Sequence, residues 1–322
     1  MQFGIPRTIY REEHEIFRET VARFLKEEVL PVYEEWEEAG RTPRDIWLRA
    51  GEVGLLGTST PEEYGGFGGD FLLDAIVIEE LGRHGVAAPA WDMHAYIIAP
   101  ILKNFCSESQ KQEWLPKMVS GDWISAIGLT EPGGGSDMKE IKTHAKEEGT
   151  DFIINGSKTF ITNGHIADYV LLAVKTDPSL GARGISMFWV NMTLPGVSRG
   201  KNLKKIGNKA QDTAELFFDD VRVPAANLVG ELNQGWSLLL DGLAQERLVV
   251  AVRSIVMAEV AVDQTIEYTK QRKTFGQTVF DFQNTQFKLA EMSADVEAGR
   301  PFIDRCIELH AQGGVTPELA AK

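Results

Sequence analysis

The chain has 322 residues, of which 43% are hydrophobic and 25% are charged, and its formal net charge is −14 at pH 7. This length and apolar content predict a globular protein of two or three domains with large cores. The negative charge argues against nucleic acid or an anionic membrane surface as the main partner, because either would require a basic face. No stretch approaches the ~18 apolar residues of a membrane span.

Two features of the sequence favour the cytoplasm. Met1–Tyr10 leads straight into a charged helix and has neither an apolar signal core nor an Arg/Ser-rich presequence. The two cysteines, Cys106 and Cys306, lie far apart in the sequence, as is common in a reducing compartment. We therefore expect a soluble cytoplasmic protein.

The first third of the chain is predicted to be helical, because its apolar residues recur at helical spacing. Thr42 followed by Pro43 is a favourable helix start, with a hydroxyl at the N-cap and a proline in the first turn. The glycine-rich stretch Tyr64–Gly69 predicts a loop. The predicted helices cover Glu12–Tyr33, the segment after Thr42, Asp70–Gly85 and Ser107–Val119.

Between Trp123 and Pro224 the pattern predicts β-strands. Asn155–Gly156 lies between two apolar runs and is the strongest short signal for a β-hairpin. No long helical pattern interrupts this region, which favours an antiparallel barrel or sandwich over a doubly wound sheet. The predicted strands are Trp123–Thr130, Phe152–Ile154, Lys158–Ile161, Tyr169–Val174, Ile185–Val190 and Ala214–Phe218.

The chain returns to long helices at Gly235, with a break at Lys273–Gly276. The predicted fold is therefore α+β and multidomain. We expect an N-terminal α-helical domain over residues 1–122 and a middle antiparallel β-barrel or sandwich over residues 123–233. A C-terminal four-helix bundle, incomplete in this chain, is expected over residues 234–322.

Glu246 is the strongest single candidate for a catalytic residue. It falls on an apolar stripe of a predicted helix, three residues after Leu243 and four before Val250. A carboxylate on an inward face must be paired, or must have a raised pKa that suits proton transfer. The alternative is a structural ion pair with the adjacent Arg247. The other members of the stripe are Trp236, Leu239, Ser254, Met257 and Ala261.

Several common chemistries have no motif in this sequence. Gly-x-Gly-x-x-Gly after a strand, a Walker-type phosphate loop and Gly-x-Ser-x-Gly are all missing, which argues against a nicotinamide Rossmann site and an α/β-hydrolase. The six histidines form no metal-ligand pattern. Cys306 and His310 are four residues apart, but two ligands without a third more often form a packed pair. We expect no metal site.

The segment Gly128–Asp137 places three consecutive glycines, two hydroxyl side chains and two acids directly after a predicted strand. Glycines allow a ligand to approach the backbone closely, and bare amides there can hold carbonyl or phosphate oxygens. Composition alone predicts only a turn. Two further motifs follow it, at Phe160–Gly164 and at Gln271–Gly276.

Thr130–Asp137 (TEPGGGSD) together with Asn155–Gly164 (NGSKTFITNG) closely resembles the flavin-binding β-domain of the acyl-CoA dehydrogenases. The flanking regions resemble the helical domains of the same family, so the likeness spans essentially the whole chain. Residues 210–218 and 245–247 look nearest to its long-chain branch. The flanking motifs are Pro61–Gly66, Glu79–Arg83, Arg272–Gly276, Gln283 and Leu289–Met292.

The resemblance implies that FAD lies across the β-domain. Phe160, Ile161 and Thr162 would flank the isoalloxazine ring, and many relatives carry Trp where this chain has Phe160. Arg272 resembles the arginine that meets the FAD pyrophosphate across a subunit interface, with Gln283 as its polar neighbour. The implied cofactor-binding residues are Ile127, Gly128, Leu129, Thr130, Gly135, Ser136, Phe160, Ile161, Thr162, Arg272 and Gln283.

The resemblance also implies a reaction, the α,β-dehydrogenation of saturated acyl-CoA thioesters to trans-2-enoyl-CoA. Electrons would then pass to an electron-transferring flavoprotein. Glu246 stands where the long-chain and isovaleryl types carry the catalytic base. The implied substrate-binding residues are Ser136, Ser237, Ala244, Gln245 and Arg247.

Two alternatives stay open. One is an acyl-CoA oxidase, or a related flavin monooxygenase, in which the reduced flavin reacts with oxygen. The other is a non-catalytic binding protein on the same fold, although the presence of Glu246, Ser136 and Thr162 argues against it.

The chain stops where a helix is only starting, with Thr316 and Pro317 as its predicted first residues. Because family members continue through further helices, we expect a truncated form of a longer homotetrameric or homodimeric enzyme. Such a form should bind FAD weakly and turn over poorly. It should also expose apolar helix faces around Ile266, Phe287 and Ile303.

Overall fold

The computed structural model describes residues 5–322. Met1–Gly4, to which the prediction for Met1–Tyr10 also refers, lie outside the described residues. The chain forms two compact units. The terminal unit comprises Met1–Leu25, Asp70–Val86 and Ala244–Lys322, and the central unit comprises Lys26–Gly69 and Ala87–Leu243.

The helices of the described residues largely follow the predicted ones. The predicted helix Glu12–Tyr33 ends at Phe24, where a π-helical turn over Leu25–Val29 replaces it. In chain order the helices are α1 (Glu12–Phe24), α2 (Tyr33–Ala39), α3 (Asp45–Glu52), α4 (Phe71–Arg83), α5 (Trp91–Met93), α6 (Ala99–Phe105), α7 (Glu108–Val119), α8 (Gly235–Gln271), α9 (Gln283–Ala311) and α10 (Pro317–Ala321).

The predicted cap at Thr42 is wrong, whereas the cap at Thr316 is confirmed. Helix α3 begins at Asp45, with Arg44 in the cap position. The Arg44 guanidinium donates to Asp168 at 2.8 Å, a contact distant in sequence that helps to fix where the helix begins. At the other end of the chain, the Thr316 hydroxyl accepts a hydrogen bond from the Leu319 amide at 3.2 Å.

One mixed sheet dominates the central unit. The strands of the described residues are β1 (Ser125–Gly128), β2 (His144–Glu148), β3 (Asp151–Thr162), β4 (Tyr169–Lys175), β5 (Ile185–Asn191), β6 (Val197–Arg199), β7 (Thr213–Pro224), β8 (Leu228–Val229), β9 (Lys273–Thr274) and β10 (Gln277–Thr278). The strand order of the sheet is β6-β7-β3-β2-β4-β5-β8, and β1 pairs with β4. A separate short hairpin, β9 with β10, fills the predicted break near Lys273.

The α+β class is confirmed, but the antiparallel barrel or sandwich is wrong. The sheet is mixed and is not a closed barrel, because β4 pairs in parallel with both β1 and β2. A parallel pair needs a crossover connection. Here the chain leaves β1, forms β2 and β3, and only then returns to pair β4 with β1. Such long-range pairing is not visible in local patterns.

The predicted hairpin at Asn155–Gly156 is also wrong, since β3 runs straight through it. The pairing of β3 with β7 shifts register between Ile154 and Gly156, so the dipeptide lies in a β-bulge. Gly156 has φ of 145°, and a Cβ there would lie 2.5 Å from Thr143 Cα. The Asn155 side chain bonds to the Asp220 amide at 2.9 Å. Neighbouring strands therefore determine the role of this dipeptide.

The core of the central unit lies on both faces of β4 and β5, which explains their continuous apolar runs. Leu171 and Trp189 belong to a cluster that also contains residues of α6 and α7. Leu172 and Phe188, one residue along each strand, belong to a second cluster with residues of β3 and β7. All four side chains are fully buried, and each contributes about 1.5–3 kcal/mol.

In the terminal unit, α8 buries a different face from the predicted stripe. Val250 is 58% exposed and Met257 is 49% exposed, whereas Val249, Val252 and Val256 are buried. The helix is apolar on more than one side, so periodicity alone did not identify the covered side. A small core joins α8 to α9 through Val262, Ile266, Leu289 and Val296. The exposure expected around Ile266 is therefore wrong, while Phe287 is exposed as expected.

Candidate active site

The loop after β1 has an open turn at its centre. Glu131 and Gly134 exchange two backbone hydrogen bonds of 3.0 Å, which closes the turn. A Cβ on Gly133 or Gly134 would meet no heavy atom within 4 Å. Within the described chain, the amide N–H groups of Leu129 and Thr130 have no hydrogen-bond partner. The loop therefore offers free donors and room for a ligand.

Strand β3 lies directly beside this loop. The Thr159 amide donates to the Thr130 carbonyl at 2.9 Å, and Lys158 Nζ donates to the Leu129 carbonyl at 3.0 Å. Lys158 Nζ also donates to Glu131 Oε1 at 2.8 Å. The structure thus brings together the glycine loop and the Phe160–Gly164 motif, which the sequence separates by about thirty residues.

Phe160 projects from β3 in an unusual backbone conformation. Its φ is 59°, and its side chain is 67% exposed although its neighbours Thr159 and Ile161 are buried. The register of β3 against β7 shifts between Lys158 and Ile161, which releases Phe160 from the ladder. Left-handed backbone is rare for aromatic residues and concentrates at functional sites. Thr162 follows and is half-buried.

Asn163 fixes the end of this motif. It is buried with φ of 60°, and its Nδ2 donates to the Ser125 carbonyl at 3.0 Å. The start of β1 and the end of β3 are therefore tied by a side chain as well as by the sheet. Ile127 and Gly128 lie on β1, and Gly135 and Ser136 lie in the exposed part of the loop.

Glu246 lies on α8 in the terminal unit and is half-buried. Burial raises the pKa of its carboxyl above the ordinary value, and the nearby charge of Arg247 opposes that rise. Among the described residues Glu246 forms no ion pair, so the structure does not show the alternative of a structural pair with Arg247. A half-buried carboxyl with a raised pKa suits proton transfer.

The residues expected to contact the substrate occupy one stretch of α8. Ala244 and Gln245 are half-buried and Arg247 is exposed. His310 donates to Gln245 Oε1 at 3.1 Å, so the Gln245 amide is oriented from α9. Ser237 lies in the central unit and is exposed, and its hydroxyl donates to the Gln234 carbonyl at 2.8 Å.

Arg272 and Gln283 are both exposed in the terminal unit. Arg272 follows α8, and its carbonyl accepts the Val279 amide at 2.8 Å, which closes the β9–β10 hairpin. Its guanidinium forms no ion pair within the part of the chain that the structure describes. At the tip of the hairpin, Phe275 is 93% exposed with φ of 48°.

Sequence reasoning missed the residues that hold the loop in place. Lys158, Glu131 and Asn163 belong to the resembling motifs, but the sequence alone predicts no role for any of them. The available signal was a lysine at the start of the predicted strand Lys158–Ile161, since a lysine that a strand buries requires a partner.

Over residues 5–322, no group of three or more His, Cys, Asp or Glu side chains is arranged to hold a metal ion. In the same part of the chain, no helix combines the length and apolarity that crossing a bilayer demands.

Comparison with known proteins gives three consecutive family matches. Residues 11–122 match the acyl-CoA dehydrogenase N-terminal domain, residues 126–221 its middle domain and residues 233–322 its C-terminal domain. The chain is 45% identical to the mitochondrial long-chain specific acyl-CoA dehydrogenase of Rattus norvegicus over 306 residues. That match covers 94% of this chain and 71% of the rat protein.

Solved structures agree. An acyl-CoA dehydrogenase from Geobacillus kaustophilus superposes with a TM-score of 0.95 at 45% identity, covering 98% of this chain and 84% of that one. A glutaryl-CoA dehydrogenase from Mycobacterium smegmatis, in complex with FADH2, superposes with a TM-score of 0.88 at 29% identity, covering 97% and 80%. This chain belongs to the acyl-CoA dehydrogenase family.

Proposed function

We propose that this chain catalyses the FAD-dependent α,β-dehydrogenation of saturated acyl-CoA thioesters to trans-2-enoyl-CoA. One observation supports the proposal best. The exposed Phe160 lies on the strand that flanks a loop in which the Leu129 and Thr130 amides have no partner within the described chain. A flat ring with carbonyl oxygens fits both features, because Phe160 offers an aromatic surface and the loop offers donors.

The residues proposed to hold FAD fit the chemistry of that group. The loop amides and the Thr130 hydroxyl are donors, and Gly133–Gly134 leaves room for close approach. Phe160, Ile161 and Thr162 provide an apolar surface and one hydroxyl. The exposed guanidinium of Arg272, with Gln283 beside it in the family motif, suits a pyrophosphate. When bound, FAD supplies the acceptor for the β-hydrogen and its electron pair.

Glu246 is the proposed base that removes the α-proton. It must be deprotonated to act, and a raised pKa brings its basicity closer to the working pH. Dehydrogenation should therefore fall as the pH drops below the raised pKa of Glu246. Entry of an apolar acyl chain would dry the carboxyl further and raise its pKa again.

Ser136, Ser237, Ala244, Gln245 and Arg247 are the proposed substrate contacts. The Gln245 side chain is oriented by the hydrogen bond that its Oε1 accepts from His310 at 3.1 Å. Arg247 is exposed and cationic, which suits the polar groups of CoA. The small side chain of Ala244 leaves room for the acyl chain beside the base.

We further propose that the enzyme acts as a homotetramer or homodimer and passes electrons to an electron-transferring flavoprotein. The exposed aromatic side chains of Phe275 and Phe287 support the assembly, since large exposed apolar groups often mark interfaces. The unpaired Arg272 supports it as well, because in family members this position meets FAD across subunits.

The test is flavin reduction by substrate. The chain would be purified, loaded with FAD and mixed without oxygen with a panel of acyl-CoAs, and the flavin absorbance followed. We expect loss of the oxidised flavin spectrum with wild type. Glu246→Gln should keep FAD and acyl-CoA binding but reduce the flavin about 10²–10⁴-fold more slowly, the usual contribution of a general base.

The matched control is Glu267→Gln, which makes the same change at an exposed position on the same helix. It should reduce flavin at the wild-type rate. Wild-type rates in Glu246→Gln would remove Glu246 from the mechanism, and a wild type that takes up no FAD would overturn the proposed function. Rapid peroxide formation on admitting air would show an oxidase instead.

A further inference from the structure

Lys158 and Glu131 form a buried ion pair outside the residues proposed to touch FAD or substrate. Lys158 has no exposed surface, and Glu131 is 7% exposed. Lys158 Nζ lies 2.8 Å from Glu131 Oε1. The carboxylate also accepts the Thr143 amide at 3.0 Å and the Lys142 amide at 2.7 Å. Both of its oxygens are thus satisfied.

Stability alone gives a weak reason for such a pair. Desolvation of two charges often cancels their attraction, and apolar residues of similar volume are often as stable. The strands around Lys158 are rich in valine, isoleucine and phenylalanine, which could have continued through this position. The pair therefore points to a role that an apolar pair could not fill.

The second contact of Lys158 indicates that role. Nζ donates to the Leu129 carbonyl at 3.0 Å, and this carbonyl shares a peptide unit with the Thr130 amide. The Thr130 N–H has no partner in the described chain. An ammonium on the carbonyl side of a peptide polarises the N–H on its other side, so that the N–H becomes a stronger donor. Thr130 would present this donor to whatever binds the loop.

We propose that Lys158 and Glu131 are positioning residues that set the reduction potential of bound FAD, with Lys158 raising it and Glu131 lowering it. Lys158 acts through the Leu129–Thr130 peptide and its positive charge, which favour the more negative, reduced form of the cofactor. The Glu131 carboxylate opposes that charge and holds the loop. This inference rests on the proposed function, because it requires FAD to occupy the loop.

The test uses Lys158→Met and Glu131→Gln, each loaded with FAD. The reduction potential of the bound FAD would be measured against reference dyes. Both variants should bind FAD more weakly, since both loosen the loop. Their potentials should shift in opposite directions, downward for Lys158→Met and upward for Glu131→Gln. We expect at least a tenfold change in the ratio of affinities for reduced and oxidised FAD, about 30 mV for a two-electron couple.

Lys146→Met and Glu147→Gln are matched controls on β2. Both residues are exposed, so neither change should move the potential. Thermal melting of the FAD-free variants checks that they fold. If Lys158→Met does not fold, the upward shift in Glu131→Gln is still required.

A merely structural role would move both potentials in the same direction, and that result would overturn the inference. Bound FAD with an unmoved potential would overturn it as well. A wild-type chain that binds no FAD would instead overturn the proposed function, and the inference would fall with it. The two failures are therefore distinguishable.

Discussion

The terminal and central units bury ionisable groups in different ways. In the terminal unit, Glu79 has no exposed surface and lies 2.6 Å from Arg7, 2.9 Å from Arg18 and 3.3 Å from Arg300. Burial alone would raise the pKa of Glu79, but the three guanidinium groups outweigh it and lower the pKa to about 2. In the terminal unit, the charge of this buried carboxylate is thus balanced by charged side chains.

The central unit relies much more on backbone groups. His94 is fully buried; its Nδ1 accepts the Ser125 amide at 3.2 Å, and its Nε2 donates to the Met118 carbonyl at 3.0 Å. That pattern requires the neutral ring, and burial lowers the pKa of His94 to about 4. Lys158 likewise divides its bonds between Glu131 and a carbonyl.

Because of this difference, the stability of the two units should respond to different changes. The terminal unit should be sensitive to loss of a charge, and the central unit to gain of a proton. The two responses can be separated by spectroscopy, because all seven tryptophans of the chain lie in the central unit. Tryptophan fluorescence therefore follows the central unit, whereas far-ultraviolet circular dichroism follows both.

The largest expected effect is that of Glu79→Gln. The change would leave the buried Arg300 and the half-buried Arg7 and Arg18 without their shared carboxylate, and breaking a buried pair in this way costs about 3–5 kcal/mol. Urea unfolding followed by circular dichroism should show the terminal unit unfolding at lower urea. Glu267→Gln, an exposed member of the same unit, should change the stability by about 0–1 kcal/mol. Equal losses of stability in Glu79→Gln and Glu267→Gln would show that the buried ion pairs of Glu79 stabilise the terminal unit no more than an exposed pair does.

The second expected effect is a loss of central-unit stability in mild acid. The pKa of His94 in the folded chain is about 4 and lies below the ordinary histidine value of 6.5, so the unfolded chain binds a proton first as the pH falls. Stability is thus lost between pH 6.5 and 4, by about 3 kcal/mol in total. The lowered pKa of Glu79 acts in a lower pH range: its ionised carboxylate stabilises the fold fully above pH 4.5, and this stabilisation is lost only as the pH falls towards 2.

Urea midpoints from tryptophan fluorescence at several pH values between 7 and 4 measure this effect. His94→Gln is the informative variant, because a glutamine offers one acceptor and one donor but does not titrate. Its fluorescence midpoint should depend less on pH than that of wild type. An equally steep dependence in the variant would show that another group is responsible.

The third expected effect is coupling between Lys158 and Glu131. Each single change, Lys158→Met or Glu131→Gln, leaves one buried charge without its partner, whereas the double variant leaves none. The double variant should therefore lose less stability than the sum of the singles, by about 1–3 kcal/mol. Fluorescence-detected urea unfolding of the four proteins provides the double-mutant cycle. Simple additivity would show that the 2.8 Å contact contributes nothing.

Local sequence patterns predict those strands and helices in which neighbouring residues have the same degree of burial. Strands β4 and β5 were found because an apolar run buried on both faces is recognisable without its partners. Asn155–Gly156 was misread because its pairing partners, β2 and β7, lie elsewhere in the sequence. The covered side of α8 was misread for the same reason, since several of its sides are apolar.

The site was predictable only through its motifs. Glu246 was found from helical position and family resemblance together, although its supposed stripe neighbour Val250 is exposed. No pattern in the sequence indicates that Lys158 reaches the Leu129 carbonyl, because that contact depends on the bulge in β3 and on the path of the loop. Tertiary geometry decides the roles of positioning residues more than those of ligand-binding motifs.

The smallest expected effect compares one helix cap in each unit. The Asp70 carboxylate accepts the Leu72 amide at 2.8 Å at the start of α4, whereas the Ser107 hydroxyl accepts the Gln110 amide at 3.4 Å at the start of α7. A short bond to an ionised group is stronger than a long bond to a neutral hydroxyl. Asp70→Ala should therefore destabilise the terminal unit by about 1 kcal/mol, and Ser107→Ala the central unit by about 0.5 kcal/mol. Far-ultraviolet circular dichroism should detect the first change and fluorescence the second. The reverse order would show that the length and charge of the cap hydrogen bond do not govern its contribution.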